Sequence, residues 1–339
     1  MSWRGRVKEE VEILQFSAPV ARPAAWEVEC LLVEIFERLD YSVRAALRGD
    51  YSAGLNCTFF AALFEGRIIG AAGCLCSHSN PSVCVLGPVG VGRQYRGQGI
   101  GTRLLEAAIE YAESLGCKAA YLGISEGNPA MRLYEGVGFE RYKGVVMRLL
   151  LEPVERFEQE YFDKSMDVSV RRAQWGDFAQ VQVLANYPCE MYTFDSWRGL
   201  FSSRYVEPRR FLSVFPEMMK LFGDHGGFAN VLAAGREENV VGFAQLRRQA
   251  GTAQRHVAEL EFYVHDNFVE QAEDLVVVTM KAAKSLSVEK INCCCLGCDG
   301  AKGRIIEAAG GKRVCVLPGN VPIGEGREDV VVFELTGPT

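Results

Sequence analysis

Hydrophobic and polar positions follow two rhythms along this chain, and the switches between them mark its elements. Residues 11–16 read as a strand. From 26 to 47, Leu31, Leu32, Ile35, Phe36, Leu39 and Val43 recur at three- and four-residue spacings, which predicts one helix. Residues 57–64 and 68–76 are β-rich and are joined by Glu65-Gly66-Arg67, the pattern of a hairpin. Residues 83–91 form the next strand. Gly87-Pro88 interrupts it, and a proline inside a sheet marks an edge or a bulge because it cannot donate to the ladder. Residues 100–115 read as an amphipathic helix with Ile100, Leu104, Ala108, Ile109, Ala112 and Leu115 on one face, closed by Gly116. A strand at 119–124 and closing strands at 141–151 complete the first half.

The second half repeats this order of elements. A strand is expected at 168–171, a short helix at 177–185, and a hairpin of 231–234 with 240–247. A strand at 257–264, a helix at 272–286 and a strand at 290–296 follow. Laying residues 118–138 on 290–310 needs no gap and pairs Glu135 with Glu307 and Gly138 with Gly310. Such self-similarity predicts a duplicated fold. The expected domains are 1–151 and 167–339. The linker, 152–166, is acidic (Glu152, Glu155, Glu158, Glu160, Asp163).

Composition narrows the classes. The 339 residues suffice for two domains, each with its own core. A net charge of −6 argues against non-specific nucleic-acid binding, which needs basic surface. No apolar run reaches the length of a membrane span. The start, MSWRGRVKEEVE, lacks the apolar centre of a signal peptide. Cys57, Cys74, Cys76 and Cys84 lie within apolar strand-like runs, where free cysteine packs as a small hydrophobe. That pattern fits a reducing, cytoplasmic setting.

The chemistry is concentrated in residues 86–101, LGPVGVGRQYRGQGIG, where a strand runs through a glycine-rich turn into a helix. Gly92, Gly97, Gly99 and Gly101 let a ligand approach main-chain N–H groups at a helix N-terminus, where orphan donors and the dipole favour an anion. Arg96 adds a positive charge. A P-loop reading fails because Gln98 stands where its lysine belongs, and a dinucleotide fingerprint is poor because Leu104 takes the third glycine position. The pattern R/Q-x-x-G-x-G/A is met in full by Arg96-Gly97-Gln98-Gly99-Ile100-Gly101.

This stretch resembles the acyl-coenzyme A signature of the GNAT superfamily of N-acetyltransferases. A second motif, EGNPAMRLYEGVGF at 126–139, resembles that superfamily's N-x-x-A-x-x-L-Y-E-x-x-G-F. Asn128, Leu133, Tyr134, Glu135, Gly138 and Phe139 match, and the alanine falls one place early, at Ala130. The resemblance covers about residues 10–151. It implies two tandem GNAT-like domains of α/β class, each a central twisted, mostly antiparallel mixed sheet flanked by helices. It implies acetyl-CoA as cofactor, held by Val89, Gly90, Val91, Arg96, Gly97, Gln98, Gly99, Ile100, Gly101, Thr102, Asn128 and Tyr134. The pantetheine arm would add to strand 83–91 almost as a further strand, with Val89 and Val91 as its main-chain partners.

The implied reaction is transfer of an acetyl group to a primary amine of a small molecule or peptide, by a monomer or homodimer. A Val89 N–H is the candidate oxyanion donor, and Tyr134 the candidate acid for the departing sulfur. The general base stays open among His78, Glu126 and Asp50. The acidic residues between Glu27 and Asp40 are either a solvated helix face or a rim for a cationic acceptor. In the second half, residues 265–274 carry no glycine, and Asp266, Glu270, Glu273 and Asp274 stand in place of Arg93 and Arg96. Ile306 replaces Tyr134, so a degenerate copy without coenzyme A is expected. Cys295-x-x-Cys298 lacks a second ligand pair at zinc-site spacing and reads as core packing. The other functional class left standing is a non-catalytic acyl-CoA-binding sensor or assembly module.

Overall fold

The computed structural model describes residues 10–37, 41–124, 127–143, 146–151, 157–186, 189–195, 199–201, 211–248 and 252–336. The chain divides into two compact units: Met1–Phe157 with Gln174–Ala179, and Glu158–Ala173 with Gln180–Thr339.

In the first unit, β1 (Glu12–Ser17) is followed by helices α1 (Arg22–Phe36) and α2 (Tyr41–Arg48). Then come β2 (Leu55–Phe64), β3 (Arg67–Ser77), β4 (Val83–Val91), α3 (Ile100–Ser114), β5 (Ala119–Gly123), α4 (Met131–Gly136), β6 (Glu140–Lys143) and β7 (Val146–Leu150). The seven strands form one sheet in the order β1-β2-β3-β4-β5-β7-β6. All neighbours are antiparallel except β4 and β5, which run parallel. One face carries the core built on α3. Ile100, Leu104, Leu105, Ala108 and Ala112 of that helix are buried among Phe60, Ala62, Ala72, Cys74, Leu86, Ala120 and Leu122. Full burial of each leucine or isoleucine is worth about 1.5–3 kcal/mol, which is why the stripe locks the helix to the sheet.

The sequence predicts one helix over 26–47, and the structure corrects this. The helix ends at Phe36, with Glu37 in a left-handed conformation (φ 64°), and α2 begins at Tyr41. Apolar periodicity runs on through the break because both helices bury a face, so spacing alone does not reveal the turn.

The second unit carries α5 (Phe157–Tyr161, its first residue in the first unit), β8 (Val168–Arg172) and α6 (Phe178–Asn186). The short pair β9 (Thr193–Asp195) and β10 (Gly199–Phe201) follows, then α7 (Phe211–His225), β11 (Gly227–Ala234), β12 (Asn239–Arg248) and β13 (Val257–Val264). Last come α8 (Ala272–Ala282), β14 (Lys290–Leu296), α9 (Gly300–Ala308), β15 (Lys312–Ile323) and β16 (Gly326–Thr336). Its large sheet, read from β8, has the order β8-β11-β12-β13-β14-β16-β15. Counted within each unit, that is the same order as in the first, and again only the fourth and fifth strands are parallel.

The duplication extends to single hydrogen bonds. Gly138 and Gly310 both take positive φ (97° and 91°) after their helices. Phe139 N–H donates to Tyr134 O at 3.0 Å, and Gly311 N–H to Ile306 O at 2.8 Å. The gap-free pairing of 118–138 with 290–310 therefore superposes like on like. All twelve cysteines are free thiols, and Cys57, Cys74, Cys76 and Cys84 are buried in β2, β3 and β4.

Candidate functional site

The ladder between β4 and β5 is short. It pairs Val83 with Ala119, Cys84 with Ala120 and Val85 with Tyr121, and ends there. Beyond that point β4 keeps only its β3 neighbour, and the register with β3 slips between Ala72–Val89 and Cys74–Leu86, at Gly87-Pro88. The expected bulge is thus present. Gly92 N–H donates to Ile69 O at 2.9 Å. Main-chain groups alternate sides along a strand, so those of Val89 and Val91 point away from β3, towards the space β5 has left. The Val91 carbonyl accepts a hydrogen bond from Arg96 Nε at 3.0 Å. Gly90 meets α1: a Cβ there would lie 2.8 Å from Ile35 Cδ1, at the tip of that side chain.

After β4 the chain makes a single 3₁₀ turn, Arg93–Tyr95, and enters α3 through Gly97 (φ 74°) and Gly99 (φ 79°). Nothing lies within 4 Å of a Cβ built on either glycine. Gly99 is the N-cap, no side chain caps the helix, and the first turn holds no acid. The N–H groups of Ile100, Gly101 and Thr102 are the orphan donors of that terminus. Gln98 between the glycines is 6% exposed, and both ends of its amide lack a hydrogen-bond partner. A bare helix N-terminus, an open glycine cradle and an unsatisfied buried amide suit a polyanion such as a diphosphate. These residues fit the phosphates of coenzyme A.

Tyr134 lies on α4, 8% exposed, with its ring edge-on to Phe139 at 6.2 Å. Burial pushes its hydroxyl pKa up to about 12. Among the described residues no hydrogen bond to that hydroxyl is present. Helix α4 is held against α3: a Cβ on Gly101 would lie 2.9 Å from Leu133 Cδ2. Asn128 serves the start of α4, its Oδ1 accepting from Ala130 N–H at 2.9 Å.

Two of the three candidate bases lie among the described residues. His78 is exposed, and its Nε2 is 3.2 Å from Ser52 O. It lies six residues beyond Ala72, the partner of Val89, which is about 20 Å along the strand. Asp50 is exposed in the turn before β2, and Glu126 lies outside the described residues. Of the acidic stretch, Glu29 is buried and paired with Arg44 at 2.8 Å, while Glu27 Oε2 accepts from Ile68 N–H at 3.4 Å. Glu34 and Glu37 are exposed, and Asp40 lies outside the described residues. The hydrogen bond from Arg96 to Val91 could not be read from the sequence, where Arg96 appears only as a charge.

The second unit builds the equivalent region differently. Asp266–Gln271 is a 3₁₀ helix leading into α8, whose first turn holds Glu273 and Asp274. Ile306, in the place of Tyr134, is fully buried. In β14, Cys293 and Cys295 are buried, and burial raises both thiol pKa values. No helix among the described residues is long and apolar enough to cross a membrane.

The sequence model of the acetyltransferase (GNAT) family matches residues 24–139. "Probable N-acetyltransferase camello" of Xenopus tropicalis is 28% identical over 114 residues, which is 33% of this chain and 52% of that protein. The protein of the same description from Xenopus laevis is 27% identical over 117 residues, 34% of this chain and 53% of its own length. The chain thus spans about half the length of these curated relatives. A solved N-acetyltransferase from Staphylococcus aureus Mu50 is similar at 14% identity and a TM-score of 0.42, covering 51% of this chain and 99% of that one.

Proposed function

Given that residues 24–139 carry a domain of the acetyltransferase (GNAT) family, we propose that this chain is an acetyl-CoA-dependent N-acetyltransferase. Its acceptor is a primary amine on a small molecule or peptide. Residues 1–151 carry the chemistry, 152–166 link, and 167–339 are a degenerate copy. The observation that carries this reading is the half of β4 left without β5, ending in a glycine turn on a bare helix N-terminus.

Acetyl-CoA supplies the acetyl group as an activated thioester. The N–H groups of Ile100, Gly101 and Thr102, with the cradle of Gly97, Gln98 and Gly99, hold its phosphates. The outward main-chain groups of Val89 and Val91 hold its arm in strand fashion, and Arg96 fixes the turn by engaging Val91 O. A Val89 N–H is the donor to a carbonyl oxygen in the cleft, fixed before reaction and costing no reorganisation. The Tyr134 hydroxyl, its pKa pushed up to about 12, holds its proton through the neutral range and serves as the acid for a leaving sulfur. A thiol's ordinary pKa near 8.5 already makes the thiolate a fair leaving group, so this contribution falls near the low end of about 10²–10⁴.

The test is an acceptor screen on the full chain, following free thiol from acetyl-CoA against primary amines of small molecules and peptides. Amine-dependent release supports the enzyme. Tight acetyl-CoA binding with no amine-dependent release across the panel points instead to a sensor.

A further inference from the structure

In the second sheet the parallel ladder also stops early. It pairs Val257 with Lys290 and ends with Leu260 opposite Cys293, so β13 from Glu261 onward has no β14 neighbour. This splay is filled by the chain itself. Tyr192 N–H donates to Asp299 Oδ2 at 2.8 Å, and Tyr192 O accepts from Lys302 Nζ at 2.9 Å. The same Nζ donates to Glu261 Oε2 at 2.9 Å, on the first residue of β13 beyond the β14 ladder. Cys189 Sγ bonds Tyr263 Oη at 2.7 Å, and Glu190 N–H donates to Asp266 Oδ1 at 2.9 Å. Strand β9, just beyond, lies against both β13 and β14. The Tyr192 side chain packs with Leu296, Val321 and Val330.

We infer that residues 189–192 are a built-in plug that occupies the second splay and closes it to an acyl-thioester arm. This rests on the reading that the first unit's splay takes such an arm. The plug is pinned by charge. Lys302 is fully buried, and Asp299 and Glu261 are each 6% exposed. A buried ion pair persists only where geometry and extra hydrogen bonds offset desolvation. Here the extra bonds go to both main-chain groups of Tyr192. In the gap-free pairing of the two halves, Lys302 and Asp299 stand where the first unit has Ala130 and Gly127, which carry no charge. The pins therefore belong to the second copy alone. Loss of the glycine turn and filling of the cleft are two separate changes, and either one alone would close the second unit to coenzyme A.

Hydrogen exchange read by mass spectrometry on the full chain, with and without acetyl-CoA, tests this. Acetyl-CoA should protect peptides within 86–101 and leave 189–195 and 261–266 unchanged. Lys302→Met should speed exchange at 189–192 by about tenfold or more, with acetyl-CoA affinity within about twofold of the original. Glu261→Gln, which keeps the shape and removes one charge, should do the same more weakly and serves if Lys302→Met does not fold. New protection of 189–195 or 261–266 by acetyl-CoA would overturn the plug, as would unchanged exchange in both variants. If 86–101 gains no protection, the first unit's cofactor reading fails, while the variant arms still judge the plug.

Discussion

Gly73 of β3 lies under the carbonyl of Gly87 of β4 so closely that a Cβ on Gly73 would stand 2.5 Å from that oxygen. The obstacle is backbone, so no rotamer change relieves it. The contact falls on the bulge where the β3–β4 register slips between Cys74–Leu86 and Ala72–Val89. A bare position in β3 thus makes room for the bulge in β4 just beyond the end of its β5 ladder, at the mouth of the cleft.

Gly73→Ala should therefore cost about 1–3 kcal/mol in stability through overpacking, and should also weaken acetyl-CoA binding by moving Val89. Gly136→Ala is the control, because nothing lies within 4 Å of a Cβ there. It should change both quantities little. Urea denaturation and calorimetry read the two effects, and equal behaviour of the variants would remove the role assigned to Gly73.

Tyr134→Phe should lower kcat by about 10²-fold or somewhat less, with acetyl-CoA affinity nearly kept. Burial raises the Tyr134 pKa to about 12, so the hydroxyl stays protonated through the neutral and mildly alkaline range. Ionisation of this group should cause no loss of turnover below about pH 11. An alkaline limb near pH 9 that disappears in the phenylalanine variant would contradict the buried-acid assignment.

His265 should make the stability of the second unit fall in acid. It is 4% exposed, stacked on Phe162 at 4.1 Å, and its Nδ1 accepts from Asn267 N–H. Burial lowers its pKa from 6.5 to about 4. The folded state thus binds the proton less well than the unfolded state. The stability this represents is fully present above pH 6.5 and is lost as pH falls through that value to about 4. The gap corresponds to about 3 kcal/mol. Denaturant titrations across that window should show the loss, and His265→Asn, which retains a capping acceptor but does not titrate, should flatten it. The same slope in the variant would assign the effect to other groups.

Much of the first unit was legible because its signals are local. The motif from Arg96 to Gly101 names two glycines, Gly97 and Gly99, whose positive φ the local turn requires, and a third, Gly101, that meets Leu133. The pairing of Tyr134 with Ile306 and Gly138 with Gly310 survives because a helix-closing turn fixes residues four apart. What stayed hidden depends on partners distant in the chain. The break at Glu37 is masked by an apolar stripe that serves two helices in succession. The plug at 189–192 shows no periodicity, being held by Asp299 and Lys302 more than a hundred positions later. Helix α7 contains Pro216, and a proline in a helical pattern normally signals its end. The placement of His78 far from Val89 follows from strand register, which spacing does not give.

The most direct test of the account is a calorimetric titration of the full chain with acetyl-CoA, beside Gly99→Asp. The substitution puts a carboxylate and a Cβ into the open cradle at the bare N-terminus of α3, against a backbone conformation that side chains rarely adopt. The account predicts one acetyl-CoA per chain for the natural protein. It predicts no measurable binding by the variant, with its cooperative unfolding retained. Unchanged affinity in Gly99→Asp, or two sites per chain in the natural protein, would contradict it.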